Sequence, residues 1–511
     1  MRHNLIEIMD TTLRDGEQTS GVSFTRTEKL SIFRLLIEEL HIPRVEVASA
    51  RVSTGEFETV KRICDWAKKN GHLEKVEVLG FIDGGISNDW VVNAGAKCIN
   101  ILCKGSERHC RGQLKKTPKE HIIDTIATIR DARQKGLRVN LYLEDWSNGM
   151  KDSPDYVMYF MDRVKNEEIE RFMLPDTLGV LDPYDTFDYV KRMVKSYPNL
   201  RFDFHAHNDY DLAISNLFAA LKVGASGVHC TVNGLGERAG NASLSSAIAV
   251  IHDMLHLETG VDESKINRVS SIIESYSGVA IPPNKPIIGE YVFTQCAGVH
   301  ADGDSKDNLY SSALAPERFG RTREYALGKL SGKANIRKNL EALGLELSED
   351  KIQKVTRRII ELGDKKEIVT QEDLPFIVAD VVKHGNREDK IKLINYQLSL
   401  TRGLRPTAIV KIEINGKEYM ESSVGDGQYD AFMKALRKIY KGQRRRDFPT
   451  LTDYMVNIPR GGKTDALVQT TIHWRFRDHA LKTIGLDADQ AESAIKATLK
   501  MLNIIEELND K

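Results

Sequence analysis

Paired cysteines, membrane-length apolar runs and charge of one sign are all missing from this sequence, and each absence removes a class of protein. The six cysteines (Cys64, Cys98, Cys103, Cys110, Cys230 and Cys296) form no CxxC pair and no dense framework. They read as reduced thiols, several of them inside apolar runs. No run of about eighteen apolar residues is present to span a membrane, and Met1-Arg-His-Asn-Leu5 is not followed by a signal-peptide core. Lys and Arg total 73, as do Asp and Glu, so no net charge draws the chain to nucleic acid or to an anionic membrane. The basic run Lys441 to Arg446 is a local exception of the kind usually solvated in loops. A soluble cytoplasmic protein with small-molecule partners is the expectation. Nucleotide-binding fingerprints are absent too. No GxGxxG follows the first strand, and Asn457 stands where a P-loop before Gly462-Lys-Thr464 would need its first glycine.

The composition that remains, 41% hydrophobic and 29% charged, is that of an ordinary globular protein, and 511 residues exceed one hydrophobic core. Residues 1–258 repeat one theme of β-rich run, loop and helical pattern. The apolar runs are Leu5–Met9, Val45–Ala48, Val76–Leu79, Cys98–Leu102, Val139–Leu143, Arg171–Leu174, Phe202–His205 and Gly227–Thr231. Between them lie helix-period segments such as Thr27–Leu40, Pro118–Lys135, Pro154–Lys165, Pro183–Lys195 and Ala213–Val223, several opening with Pro after Thr, Ser or Asp. Eight such units predict a TIM (β/α)8 barrel. Residues 259–392 lose the alternation. They read as linker subdomains, with Ile281 to Pro286 an extended, stiff connector. Residues 393–511 read as a separate α+β domain with strands at Ala408–Asn415 and Ala466–Trp474, a helix at Gln428–Tyr440 and a hairpin turn at Asn415-Gly416.

A barrel places its chemistry at the C-terminal ends of its strands, and polar residues gather there. In Arg201-Phe-Asp-Phe-His-Ala-His-Asn-Asp209, His205 and His207 are two apart on a strand and point the same way. An isolated pair of this kind is more often one buried and one solvated histidine. With Asp15, and Asn241 a possible fourth ligand, it becomes a mixed oxygen and nitrogen site suited to Mn2+, Mg2+ or Zn2+. Such an open site can chelate a 2-oxo acid and polarise its ketone. Arg14 could hold the developing negative charge, and Glu144 could fix an attacking group or move a proton.

Asp10-Thr-Thr-Leu-Arg-Asp-Gly-Glu-Gln18, His205-Ala-His-Asn-Asp209 and Gly234-Leu-Gly-Glu-Arg-Ala-Gly-Asn241 resemble the signatures of the 2-isopropylmalate, homocitrate and citramalate synthase family, and the likeness runs over nearly the whole chain. The resemblance implies a metal-dependent barrel in which acetyl-CoA condenses with a 2-oxo acid and thioester hydrolysis releases CoA. It implies the metal ligands Asp15, His205, His207 and Asn241, with Arg14 on the oxo-acid oxygen, Thr177 on its carboxylate and Glu144 at the reacting groups. It also implies that His300, in Gly298-Val-His-Ala-Asp-Gly303, enters the partner's site in a homodimer together with Asp302, Asn308 and Tyr310. Glu144 and His300 both qualify as the base.

Leu79, Leu102 and Tyr142 stand at the strand ends that would read the C2 substituent. Bulky and mostly apolar, they favour the methyl of pyruvate over the isopropyl of 2-oxoisovalerate. That points to (R)-citramalate and isoleucine synthesis, with 2-isopropylmalate and leucine synthesis as the alternative. Beyond Gly425-Asp-Gly-Gln-Tyr-Asp430, the tail resembles the family's allosteric domain, which implies feedback by an end-product amino acid, isoleucine ahead of leucine. Tyr429, Asp430, Leu451, Tyr454, Thr464 and Val468 are the expected effector pocket.

Overall fold

The computed structural model describes residues 5–305, 309–364, 390–442, 447–457, 468–487 and 489–508, with residues 369, 371, 374, 377 and 378. It divides into two compact units: Met1–Phe293 with Ser312–Arg323, and Thr294–Ser311 with Glu324–Lys511.

The first unit is the (β/α)8 barrel. Strands β1 (Glu7–Asp10), β2 (Arg44–Ser49), β3 (Val76–Phe81), β4 (Cys98–Lys104), β5 (Arg138–Glu144), β6 (Arg171–Asp176), β7 (Phe202–Ala206) and β8 (Gly227–Cys230) pair in parallel in chain order. β8 closes on β1, with Ile8 opposite Val228. Each predicted run became a strand. The helices between them start where local chemistry supplies caps. Thr25 with Glu28 and Thr117 with Glu120 form reciprocal capping boxes, and Pro118, Pro154 and Pro183 open their helices. Outward-facing Val45, Val47, Val76, Val78, Ile99 and Ile101 pack beneath the helices in one continuous core.

Inward, the barrel is ionic where aliphatic layers usually fill such folds. Arg44 donates to both oxygens of Glu77 (2.6 and 3.1 Å) and to Asp203 Oδ2 (2.5 Å), and Arg171 donates to Asp203 Oδ1 (2.9 Å). Asn140 donates to Asn100 Oδ1 at 2.8 Å, and Asn100 to Glu46 Oε1 at 2.7 Å. Buried charges persist only when paired and hydrogen-bonded in this way.

The segment from Ile281 to Pro286 is not an extended connector. Lys285 N–H donates to Pro282 O, Gly289 N–H to Lys285 O and Tyr291 N–H to Pro283 O, each at 2.8 Å, which coils the stretch into successive turns. The φ that proline fixes suits turn positions as well as extended chain.

In the second unit, the short parallel strands β9 (Thr294–Gln295) and β10 (Glu324–Tyr325) accompany helices at Gly298–Ser305, Lys333–Ala342 and Glu349–Asp364. One arrangement then occurs twice. β11 (Ile391–Ser399), β12 (Thr407–Ile414) and β13 (Lys417–Val424) form an antiparallel sheet followed by helix Gln428–Gly442. β14 (Thr450–Asn457), β15 (Val468–Phe476) and β16 (His479–Asp487) form another, followed by helix Gln490–Leu508. The β12–β13 hairpin turns at Asn415-Gly416, both at positive φ (51° and 77°), as a primed two-residue turn requires. Within the predicted strand Ala466–Trp474, residues Val468 to Trp474 lie in β15; residues 466 and 467 fall outside the described residues, as does the Arg444–Arg446 run. No helix among the described residues is long and apolar enough to cross a membrane.

Candidate active site

After β1 the chain folds back on itself. The N–H groups of Arg14, Asp15 and Gly16 all donate to Thr11 O (2.8–3.1 Å), while Asp10 accepts from the N–H and hydroxyl of Thr12. This knot aims Asp15 into the barrel mouth. Asp15 Oδ2 lies 3.3 Å from His205 Nε2 and 3.8 Å from His207 Nε2, and all three residues are buried. Both oxygens of Asp15 and the Nδ1 atoms of His205 and His207 lack a hydrogen-bond partner, as does Asn241 Oδ1. Asn241 adjoins His207 through a β-bridge, and its Nδ2 donates to Leu235 O at 3.0 Å, which leaves Oδ1 open. Gly236, at φ 156°, permits that pose, since a Cβ there would fall 2.1 Å from Asn241 Nδ2. Asp15, His205 and His207 bring buried ligand atoms within 4.8 Å of one another, a set that fits a divalent metal, with Asn241 next to His207 in the sheet.

Arg14 closes one side of the cluster. Its Nη1 lies 3.1 Å from Asp15 Oδ2, its Nε donates to Glu46 Oε2 at 2.5 Å, and its Nη2 donates to Tyr142 Oη at 3.3 Å. Burial alone would raise the Asp15 carboxyl, but Arg14, His205 and His207 outweigh it and hold it well below the usual carboxylate range. Burial, reinforced by neighbouring His205, pushes His207 down to about 4, which leaves it neutral and able to ligate.

Leu79, Tyr142, Met9 and Met173 form one buried apolar cluster, with Leu102 packed against it. At the end of β5, Glu144 pairs with Lys104 at the end of β4. Thr177 Oγ1 accepts from Asp145 N–H at 2.9 Å, and Asp145 itself sits at positive φ. In the second unit, the rings of His300 and Tyr310 lie 4.3 Å apart, and Asp302 is exposed on the same helix as His300. Asn308 lies outside the described residues.

Of the expected effector residues, Tyr429 and Tyr454 face each other with ring centroids 5.4 Å apart, and Tyr429 Oη is 2.7 Å from Thr498 Oγ1. Leu451 packs against the same core. Asp430 accepts from Asp426 N–H and pairs with Lys434, and Val468 is buried at the start of β15. Thr464 lies outside the described residues.

Sequence reasoning placed Glu46 and Lys104 at strand ends without giving them a role, and it missed Met9, Met173, His229 and Asp203. Asp203 did carry a signal, since it shares a strand face with His205 and His207. So did Glu46, a lone charge inside the run Val45-Glu-Val47.

Residues 5–273 match the family described as HMGL-like, residues 287–367 the homocitrate synthase post-HMGL domain-like family, and residues 368–506 the LeuA allosteric (dimerisation) domain. Among similar chains, the (R)-citramalate synthase CimA of Methanocaldococcus jannaschii is 31% identical, covering 98% of this chain and 99% of its own. The 2-isopropylmalate synthase of the same organism is 32% identical over 98% and 94%. The 2-isopropylmalate synthase of Neisseria meningitidis serogroup B is 33% identical over 98% and 96%.

Proposed function

The chain belongs to the HMGL-like family, and from that premise we propose that it condenses acetyl-CoA with a 2-oxo acid, with pyruvate as the acceptor and (R)-citramalate and CoA as the products. The observation that carries the choice of acceptor is the cluster of Leu79, Leu102, Tyr142, Met9 and Met173 beside Arg14. Its walls suit a methyl group and crowd an isopropyl. A distal carboxylate would need a cation, and nearby Lys104 is already paired with Glu144. Identity does not choose, since relatives bearing both synthase names match at 31 to 33%.

Asp15, His205, His207 and Asn241 are the proposed ligands of a divalent metal, which when bound supplies a Lewis acid for the keto acid. Thr177 is assigned to the substrate carboxylate. A base, Glu144 or His300, takes a proton from the methyl carbon of the acetyl group. The resulting carbanion forms a C–C bond to the keto carbon, whose oxygen gains the electron pair. Arg14, held rigid by Glu46 and Tyr142, faces that charge with guanidinium N–H donors. The oxygen is then protonated, and water cleaves the thioester to a carboxylate and the CoA thiol. His300, Asp302, Asn308 and Tyr310 are assigned to the site of a second copy, in keeping with the dimerisation domain at 368–506. Tyr429, Asp430, Leu451, Tyr454, Thr464 and Val468 are assigned to a feedback amino acid, isoleucine ahead of leucine.

Thiol release from acetyl-CoA with Mn2+ tests the reading. Pyruvate is expected to outpace 2-oxoisovalerate by about tenfold or more in kcat/KM, the scale on which a pocket resolves added carbons. The reverse preference overturns the pyruvate assignment and moves the enzyme to 2-isopropylmalate formation.

A further inference from the structure

Beneath the pocket Arg14, Tyr142, His229 and Asp203 form a linked chain. Arginine can only donate, so at the 3.3 Å contact between Arg14 Nη2 and Tyr142 Oη the phenol oxygen accepts. The Tyr142 proton must then go elsewhere, and His229 Nδ1 lies 2.9 Å from the same oxygen. With Tyr142 donating to Nδ1, His229 carries its own proton on Nε2, which faces Asp203 Oδ2 at 3.6 Å. That distance is too long for a full hydrogen bond, yet short enough for the carboxylate to favour this tautomer. Asp203 is in turn fixed by Arg44 and Arg171. His229 is fully enclosed, and its ring meets that of Tyr142 edge-on at 5.4 Å.

We propose that His229 is a positioning residue that locks the Tyr142 ring through its hydroxyl and thereby sets the width of the keto-acid pocket and the pose of Arg14. The proposal rests on the assignment of Leu79, Leu102 and Tyr142 to substrate. No other acceptor for the Tyr142 proton is recorded among the described residues. If His229 lost its acceptor nitrogen, the phenol would leave one hydrogen bond unmade in a buried site. The ring would then be free to tilt away from the wall it forms with Leu79 and Met173.

The test is a double-mutant cycle on the full-length protein loaded with Mn2+, pairing His229→Leu with Tyr142→Phe. The readout is the ratio of dissociation constants for pyruvate and 2-oxobutanoate, measured by calorimetry without acetyl-CoA. Each single variant is expected to narrow the ratio by about tenfold, the worth of one internal hydrogen bond, and the double variant no further than either. His229→Asn, which keeps an acceptor within reach of Tyr142, should recover most of the ratio; if His229→Leu does not fold, Tyr142→Phe narrowing the ratio while His229→Asn preserves it carries the test. Effects that multiply in the double variant overturn the proposal. So does an unchanged ratio accompanied by weaker Mn2+ binding, since His229 would then serve only His205. A wild-type protein that binds the longer acid better defeats the pyruvate reading instead, while the cycle still reads the coupling of His229 to Tyr142.

Discussion

Arg14 Nε lies 2.5 Å from Glu46 Oε2, and the two side chains keep only 10% and 0% of their surface open to solvent. Glu46 also accepts from Asn100, so its carboxylate is spoken for at both oxygens. Glu46→Gln should therefore release Arg14 from its pose. The expected outcome is a kcat roughly a hundredfold lower in thiol-release assays, as when an oxyanion donor is lost. Denaturant melts should show a loss of about 3 kcal/mol, typical of a broken buried pair.

The metal proposed at Asp15, His205, His207 and Asn241 would satisfy buried polar atoms that lack partners. Chelation with EDTA should abolish turnover and added Mn2+ should restore it. Asp15→Asn or His207→Ala should cut metal content after dialysis, measured by mass spectrometry, with an affinity loss of about a hundredfold or more.

Leu102 borders the pocket from a partly buried position, so shortening it should leave room that the site can use. Leu102→Ala should shift kcat/KM toward 2-oxoisovalerate relative to pyruvate by about tenfold to a hundredfold, the span expected for removed carbons in an apolar pocket. Competition assays with both acids would read the shift directly.

Acid should destabilise the barrel through His121. Lys104 N–H donates to its Nε2, its Nδ1 is 2.9 Å from Tyr156 Oη, and Tyr156 donates to Lys104 O. Burial first, then the charges of Lys116 and Lys104, pushes its pKa down to about 4. The unfolded chain takes up a proton near pH 6.5 that the native state refuses until about pH 4. The resulting stability, about 3 kcal/mol at most, is complete above roughly pH 6.5 and is lost as the pH falls toward 4. Denaturation at pH 7.5 and 5 should show the drop, and His121→Gln should reduce it.

The tail predicts a separable effect. If Tyr429 and Tyr454 frame the effector, Tyr454→Ala should raise the isoleucine concentration needed for half-inhibition by about tenfold or more, judging from the worth of an aromatic pair and its buried area.

The barrel was legible because each strand rests on a short, mostly apolar run followed by a loop and a helical pattern, with helix starts marked by caps such as Thr117-Pro118. The strand ends were less so. β4 and β5 extend to Lys104 and Glu144, polar residues that still pair across strands in register. Asp15, His205 and His207 could be read because period-two spacing and a polar loop mark the barrel rim. His229 could not, for its role exists only once β8 meets β7 and sets His229 beside His205. The turns at Ile281 to Pro286 were misread as extended chain because proline's φ serves both conformations.

The pocket proposed for the keto acid has two unlike walls, and they set how its chemistry can diversify. Leu79, Leu102 and Met173 are held by packing, so one nucleotide change at a time can widen or narrow that side without stranding a charge, whereas Met9 also accepts from Arg44 and Asn100 through its sulfur. Tyr142 belongs to a linked series with Arg14, His229 and Asp203, in which any single replacement leaves an orphaned partner. Divergence toward new acceptors, in nature or in directed evolution, therefore runs through the aliphatic wall, while the wired wall stays fixed and keeps the reaction itself intact.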